Sequence, residues 1–355
     1  MLTLALIFGG RSAEHEISLA SARFVAGALD HDRYEIVPVG LSREGRWLRP
    51  HDLEAALRDG LEATPCDDVD LAVDPARPGL RVGGELLSLD VVFPILHGTF
   101  GEDGTIQGLF ECAGLAYAGA GVTASAVGMD KELMKAVFAS AGLPQVEYLV
   151  LRDDDCTGAA AVAAVEERLD YPVFVKPCNL GSSVGMTKAH DRDELAPALE
   201  SASRYDRKVI VEAAVDAREL ECSVLGNERP RASLPGEVVP GNEFYDYEAK
   251  YTEGMMSFTI PAALEPEQTA EVRDLAVRAF AAIDCAGYAR CDFFVERASG
   301  RIMVNEINTI PGMTVMSAFP RLWEATGLGN RELVDEIVAL GLQRHAVRQG
   351  LLTTH

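Results

Sequence analysis

The opening stretch "LTLALIFGG", Leu2 to Gly10, restricts the fold more than any other feature, because it is a nearly continuous apolar run that breaks on two glycines. A strand that is apolar on both faces must be covered on both, which is the situation of parallel strands flanked by helices. "ISLASARFVAGALD" follows with helical spacing, and "EIVPVGLS" reads as the next strand. Strand, tight glycine turn, helix and strand make a parallel α/β opening. The unit continues in "LDVVFPILHG", a buried strand, and in "GTIQGLFECAG", a short helix ended by glycine. Residues 42–88 between these parts read as polar and irregular.

Further on, "MDKELMKAVFASAGLP" is a punctuated helix, with Asp130 as its N-cap and Gly142 and Pro144 as its stop. Residues 145–220 read as strand, helix and strand around a glycine- and serine-rich loop. The last part alternates short strands ("ELECSVLG", "GYARCDFFVE", "RIMVNEIN") with the helices "PEQTAEVRDLAVRAFAAIDCAG" and "NRELVDEIVALGLQRHAV". At 355 residues the chain exceeds the roughly 250–300 at which single cores stop growing, so two or three packed domains are expected.

Composition narrows the class. Hydrophobic residues at 48% and charged residues at 25% are those of a soluble globular protein, and no window holds the roughly 18–20 unbroken apolar residues of a membrane span. The first residues lack a basic leader and a small-residue cleavage site, so the expected location is the cytoplasm. Seven cysteines without a CxxC pattern read as reduced core filler. A formal charge of −23 argues against nucleic-acid binding, and an acidic protein that binds an anion must gather its cations at the site.

The loop in "VFVKPCNLGSSVGM" has such a cation, Lys176, at its mouth. Glycines and serines leave backbone N–H groups free to converge on an oxygen cluster, so the loop fits a phosphate. It reads equally well as a flexible hairpin with an exposed lysine. Lysine precedes the loop instead of ending it, which excludes a Walker A loop. In "YARCDFFVE" the period of two puts Arg290, Asp292 and Phe294 on one face, and Glu306 and Asn308 share a face in "IMVNEINTIPGM". Two carboxylates and a carboxamide on adjacent strands are hard oxygen ligands of the kind Mg²⁺ takes together with substrate phosphates; two strands with merely solvated polar faces are the other reading. Glu212 and Glu219 would suit an adenine amino group and ribose hydroxyls, and read equally well as surface carboxylates.

The ordered set "GGRSAEHEIS", "LHGTFGEDGTIQG", "MDK", "VKPCNLGSSVGM", "FYDYEAKY", "GYARCDF" and "NEINTIPGMT" resembles the D-alanine–D-alanine ligases of the ATP-grasp superfamily. The similarity runs from about residue 4 to about residue 345. It implies an α/β fold with the three-domain ATP-grasp architecture: an N-terminal parallel α/β domain over 1–128, a central subdomain over 129–220 and a C-terminal subdomain over 221–355. The nucleotide would lie between the central and C-terminal sheets. The implied reaction phosphorylates the carboxylate of one D-alanine from ATP, after which the amine of a second attacks the acyl phosphate. The product is the dipeptide used in peptidoglycan.

The resemblance also implies residue roles. Lys131 and Lys176 would contact ATP phosphates under a flap holding Ser182 and Ser183. Glu212 and Glu219 would hold adenine and ribose, with Ala213, Val215 and Phe294 completing the nucleotide contacts. Asp292, Glu306 and Asn308 would coordinate two Mg²⁺ ions, with Mn²⁺ as a substitute and a monovalent cation such as K⁺ as a further candidate. Glu14 would bind the ammonium of the first D-alanine, with His97 close by. Arg290 and the Gly312 amide would stabilise the tetrahedral oxyanion, and Ser317 would hold the second D-alanine carboxylate. A homodimer is implied.

"EFYDYEAKYTEG" fits a closing loop near 242–256, in which Lys250 reaches toward the γ-phosphate and Tyr251 joins Glu14 and Ser182 to shut the site. The intact EAKY pattern favours an amine over the hydroxyl of D-lactate as nucleophile and says little about D-serine. Cys178, Leu180, Ala213 and Ala318 stand where some relatives differ, which bears on flap motion, nucleotide affinity and second-site packing. A nucleotide sensor without turnover is disfavoured by the retention of Arg290 and the metal set. A dinucleotide-dependent dehydrogenase is excluded because "GGRSAEHE" is not GxGxxG.

Overall fold

The computed structural model describes residues 1–240 and 256–352. The expected opening is present: β1 (Leu2–Gly9), α1 (His15–Ala28) and β2 (Tyr34–Leu41) form a parallel pair with its crossover helix. Gly9 has to be glycine, since its φ is +88° and a Cβ there would lie 2.3 Å from the Leu41 carbonyl oxygen.

Residues 42–88 differ from the irregular reading. They hold β3 (Trp47–Pro50), α2 (Leu53–Asp59), β4 (Cys66–Ala72), β5 (Gly79–Val82) and β6 (Glu85–Ser88), before β7 (Val91–Pro94) returns beside β1. The seven-stranded order is β6-β5-β4-β3-β2-β1-β7, parallel at β2-β1-β7 and antiparallel beyond β2. These strands are short, β4 is acidic and β6 has no buried residue, so cross-strand pairing makes them strands more than any apolar period.

Three helices follow: α3 (Thr105–Cys112), α4 (Val122–Met129) and α5 (Lys131–Ser140). Asp130 caps α5 as expected, accepting from the Glu132 and Leu133 amides. Then come β8 (Tyr148–Arg152), α6 (Gly158–Glu166), β9 (Val173–Pro177), β10 (Thr187–Ala189), α7 (Arg192–Ala202) and β11 (Lys208–Ala213). Their strands form an antiparallel sheet in the order β10-β9-β11-β8. The third sheet is built from β12 (Ala217–Gly226), β13 (Arg231–Ala232), β14 (Gly236–Pro240), β15 (Met256–Thr259), β16 (Gly287–Glu296) and β17 (Ile302–Asn308). Its order is β15-β14-β12-β16-β17, with β13 on β12. Helix α8 (Pro266–Ala282) packs on this sheet, and α9 (Ala318–Ala325) and α10 (Asn330–Gln349) close the chain.

The cores cross the sequence order. Met134 and Phe138 of α5 are buried with Cys222, Phe280, Phe293 and Val304 against the third sheet, although the charged face of α5 looks at the second. Leu333, Val334, Ile337 and Val338 of α10 return to the first sheet and pack with Leu4, Leu6 and Phe93. Five of the free cysteines are buried, as expected of core filler, whereas Cys66 is half-buried and Cys112 is exposed. No helix among the described residues is long and apolar enough to cross a membrane.

The seat of α10 has little slack. A Cβ on Gly341 would lie 2.5 Å from the Tyr117 carbonyl oxygen and 3.0 Å from the Ala118 Cα, and Arg344 stacks 4.0 Å over the Tyr117 ring one turn on. Backbone cannot yield as a flexible side chain would. Gly341→Ala should therefore cost about 1–3 kcal/mol, read as a melting temperature lowered by several degrees; an unchanged midpoint would contradict the close approach.

Candidate active site

A cleft of about 800 Å³ opens among the three sheets, and every expected site residue that lies in the described segments is on its wall. Lys250 and Tyr251 lie outside the described residues. Glu14, just before α1, and His97, after β7, come from the first sheet; Lys131 begins α5; Lys176 stands near the end of β9. Alternation along β16 and β17 brings Arg290, Asp292, Phe294, Glu306 and Asn308 to the same wall, and the turn after β17 adds Gly312 and Ser317.

The glycine- and serine-rich loop is anchored at several points. Cys178 is buried, with its N–H on the Lys208 carbonyl at 3.0 Å, and burial pushes its thiol up to about 12. Asn179 donates from both backbone and side chain to Asp206 at 2.8 Å, and Lys131 Nζ donates to the Leu180 carbonyl at 2.7 Å. Ser182 and Ser183 take left-handed φ values of 50° and 58°, a conformation that costs about 1–2 kcal/mol for a residue with a side chain. Ser182 Oγ donates to Glu14, which ties the loop to the first sheet. Strained serines facing a cleft fit a loop shaped for a ligand better than a loose hairpin.

Lys176 is not an exposed lysine. Its side chain is 13% exposed, and its Nζ lies 2.5 Å from Glu212 Oε2. Glu212 is 3% exposed, so it is not a surface carboxylate either. Its other oxygen meets Lys135 Nζ at 2.7 Å, and Lys135 itself is 1% exposed. Burial would raise the Glu212 pKa, but the two lysines hold it far below the usual carboxylate range. Burial likewise opposes the charge on Lys176, and Glu212, with Glu306 and Glu219, more than restores it. Glu219, Ala213, Val215 and Phe294 line the same end of the cleft, and Ser183 lines its loop side.

Arg290 forks onto Asp292, with Nε to Oδ1 and an Nη to Oδ2 both at 2.6 Å, and its Nε lies 3.3 Å from buried Glu221. Asp292 is the direct cross-strand partner of Glu306, and Arg290 that of Asn308. A bulge at Asn305 lets β17 follow β16 past this point. Asn308 donates to Asp292 at 3.1 Å, and Lys131 Nζ is 4.0 Å from Glu306. Among the described residues no three His, Cys, Asp or Glu side chains gather into a metal site of their own. Two half-buried carboxylates with a carboxamide instead fit a hard cation that keeps waters and shares substrate phosphates, as Mg²⁺ does.

The Gly312 end of the cleft is held across the chain by His97. Its Nδ1 donates to the Ile310 carbonyl at 2.9 Å, its Nε2 accepts from Ser21 Oγ at 2.9 Å, and Ser21 Oγ accepts from the Met313 N–H at 3.2 Å. Both ring nitrogens are thus used to hold the turn that carries Gly312. Ser317 Oγ bonds with Thr314 and sits 3.1 Å from where a Gly312 Cβ would be.

Sequence reasoning missed Lys135, Glu221, Ser21 and Glu102. Lys135 stands four residues after Lys131 and Glu221 two after Glu219, so helical and strand periods point to both. Ser21 carries no comparable signal.

Glu102 approaches His97 Nδ1 at 3.4 Å. Burial, with the Glu14 charge, raises its pKa to about 7 against the pull of His97. Burial opposes a charge on His97, but Glu102, Glu14 and the Ile310 carbonyl outweigh it and raise its pKa. Both shifts mean that the folded state holds its proton more tightly than the unfolded chain. The stability they contribute is present in acid and is lost as pH rises through about 7. Relative to Glu102→Gln, the native chain should lose on the order of 2–3 kcal/mol between pH 5 and 8, measured by urea midpoints; parallel pH profiles would refute it.

Comparison with known proteins identifies the family. A family model described as D-ala D-ala ligase N-terminus matches residues 3–120, and one described as D-ala D-ala ligase C-terminus matches residues 137–339. The chain is 47% identical to a D-alanine–D-alanine ligase of Acetivibrio thermocellus, with 96% of each chain covered. It is 48% identical to that of Heliobacterium modesticaldum, over 98% of this chain and 96% of the relative. Among solved structures, the VanG D-Ala:D-Ser ligase of Enterococcus faecalis superposes with a TM-score of 0.88 at 34% identity, covering 96% of this chain and 99% of that one. The D-alanine–D-alanine ligase of Coxiella burnetii gives 0.86 at 36% identity, covering 98% and 96%. Matched over nearly its whole length, the chain belongs to the D-alanine–D-alanine ligase family.

Proposed function

We propose that the chain is an ATP-dependent ligase that joins two D-alanine molecules into D-alanyl-D-alanine for peptidoglycan, releasing ADP and phosphate. The observation that carries this reading is the convergence in one cleft of a lysine-gated phosphate loop, a two-carboxylate and carboxamide set, and an arginine beside a glycine turn. A carboxylate is a poor acyl donor because oxide would have to leave. Transfer of a phosphoryl group to it supplies a good leaving group, and the amine of the second D-alanine then displaces phosphate.

Each part has a task in that scheme. Lys131, Lys176 and the Ser182–Ser183 loop grip the phosphates, and Lys250 of the closing loop adds a third cation. Glu212, Ala213, Val215 and Phe294 take the base and Glu219 the ribose. Asp292, Glu306 and Asn308 hold Mg²⁺, which offsets the negative charge gathered on the phosphates; two ions, Mn²⁺ substitution and a K⁺ requirement belong to the same reading. Glu14 receives the ammonium of the first D-alanine, and Ser317 the carboxylate of the second. His97 serves that site by fixing the Ile310–Met313 turn, so that the Gly312 amide and Arg290 face the developing oxyanion. Tyr251 closes the site with Glu14 and Ser182 and keeps water from the acyl phosphate. The units are 1–128, 129–220 and 221–355, with β12 of the third sheet starting at Ala217, just ahead of the last boundary, and the enzyme works in the cytoplasm as a homodimer.

The likeness to a D-Ala:D-Ser ligase makes D-serine the one competing second substrate. Phosphate release with ATP and Mg²⁺, offering D-alanine alone or with D-serine or D-lactate and identifying products by mass, tests the reading. Dipeptide from D-alanine alone is expected; its absence beside a D-alanyl-D-serine product would move the assignment. Arg290→Ala should raise the barrier by about 3 kcal/mol, lowering kcat roughly a hundredfold or more, in protein that still binds ATP, and near-normal turnover would sink the oxyanion role.

A further inference from the structure

Glu212 is shared by two lysines that differ in one respect. Lys176 holds Oε2 from the cleft wall, whereas Lys135 holds Oε1 from behind and does not line the cleft. Lys135 comes from α5, and its ammonium also lies 5.5 Å from the ring centroid of Tyr148, which pairs with Glu212 across β8 and β11. The cluster therefore carries two positive charges and one negative charge where Lys135 is shut from water and Glu212 shows only a small edge to the cleft. Both lysines cannot be serving a ligand.

We propose that Lys135 is a positioning residue for nucleotide recognition: it keeps Glu212 ionised and in one orientation when Lys176 turns from that carboxylate to a bound phosphate. This rests on the reading of Glu212 as the group that meets the nucleobase. The charge count gives the reason. When an anion takes Lys176, the Lys135–Glu212 pair left behind is neutral as a whole. Without Lys135 the same event would strand a lone buried carboxylate, which takes up a proton instead of staying charged. Protonation matters for specificity, because a carboxylate can only accept hydrogen bonds and suits the 6-amino group of adenine, whereas a carboxylic acid can also donate to a 6-oxo group. Lys135 thus makes the pocket select an amino-bearing purine while freeing Lys176 for the phosphates.

The test measures binding of ATP and of inosine triphosphate, each with Mg²⁺, by calorimetry on the full chain and on Lys135→Met, Glu212→Gln and the double variant. Melting curves without nucleotide accompany it. Lys135→Met should weaken ATP binding by about tenfold or more and shrink the preference for ATP over inosine triphosphate. The double variant should bind ATP about as well as Glu212→Gln alone, since with no carboxylate to hold there is nothing left for Lys135 to do. If Lys135→Met keeps native affinity and preference while Glu212→Gln loses the preference, the proposal fails and the base contact stands. If Glu212→Gln leaves the preference intact, the base contact itself is wrong and the proposal falls with it. Should Lys135→Met alone not fold, a folded double variant supports the charge pairing, and an unfolded one overturns it.

Discussion

A buried charge needs a counter-charge, and in this chain helix α5 meets that demand at both ends of its first turn. Asp130, its cap, is paired with Lys208, which also reaches Glu132 at 3.1 Å, and Lys135 is paired with Glu212. Lys208 and Glu212 both belong to β11, so two ion pairs lock the helix across one strand of the second sheet. The apolar face of the same helix is committed to the third sheet through Met134 and Phe138. The cleft between those sheets keeps its shape because one rigid element is bound to both walls, by ion pairs on one side and by apolar packing on the other. Removing one partner of such a pair costs about 3–5 kcal/mol, since the survivor is left buried and uncompensated.

The first sheet joins this frame through a shared apolar core, where Phe93 packs with Tyr288 and Ile310, and at the cleft through polar contacts. Glu14 takes the hydrogen of Ser182, and Ser21 with His97 holds the turn from Ile310 to Met313. In this way three sheets contribute to a site that none forms alone. When its ring is neutral, His97 donates from Nδ1 to Ile310 and accepts at Nε2 from Ser21. A second proton on the ring would turn Nε2 into a donor and force Ser21 to reorient, which links the Gly312 turn to the protonation of the His97–Glu102 pair.

Much of the site was legible because strand geometry is local. Arg290 and Asp292, or Glu306 and Asn308, must share a face whatever the rest of the chain does, since successive side chains alternate. The glycine turn after β1 and the cap at Asp130 are local for the same reason. The antiparallel strands of residues 42–88 were not legible: β4 is acidic and mostly outside the core, β6 is four residues long with none buried, and neighbouring strands supply what their composition lacks. Nor was the state of the carboxylates, because Glu212 and Glu219 look alike in sequence, yet only Glu212 is buried between two ammonium groups.

The amino-acid order alone determined the elements that depend on near neighbours: the parallel α/β opening, the punctuated helices, the glycine- and serine-rich loop behind Lys176 and the alternating chemistry of β16 and β17. Tertiary structure decided what depends on distant partners. Ser21 and His97 lie far from Ile310 and Met313 in sequence and adjacent to them in space, and Lys135 finds Glu212 only when α5 docks on β11. Spacing along a chain fixes which way a side chain points. Which charge it meets, and whether water is there to share it, is settled only when the sheets close around the cleft.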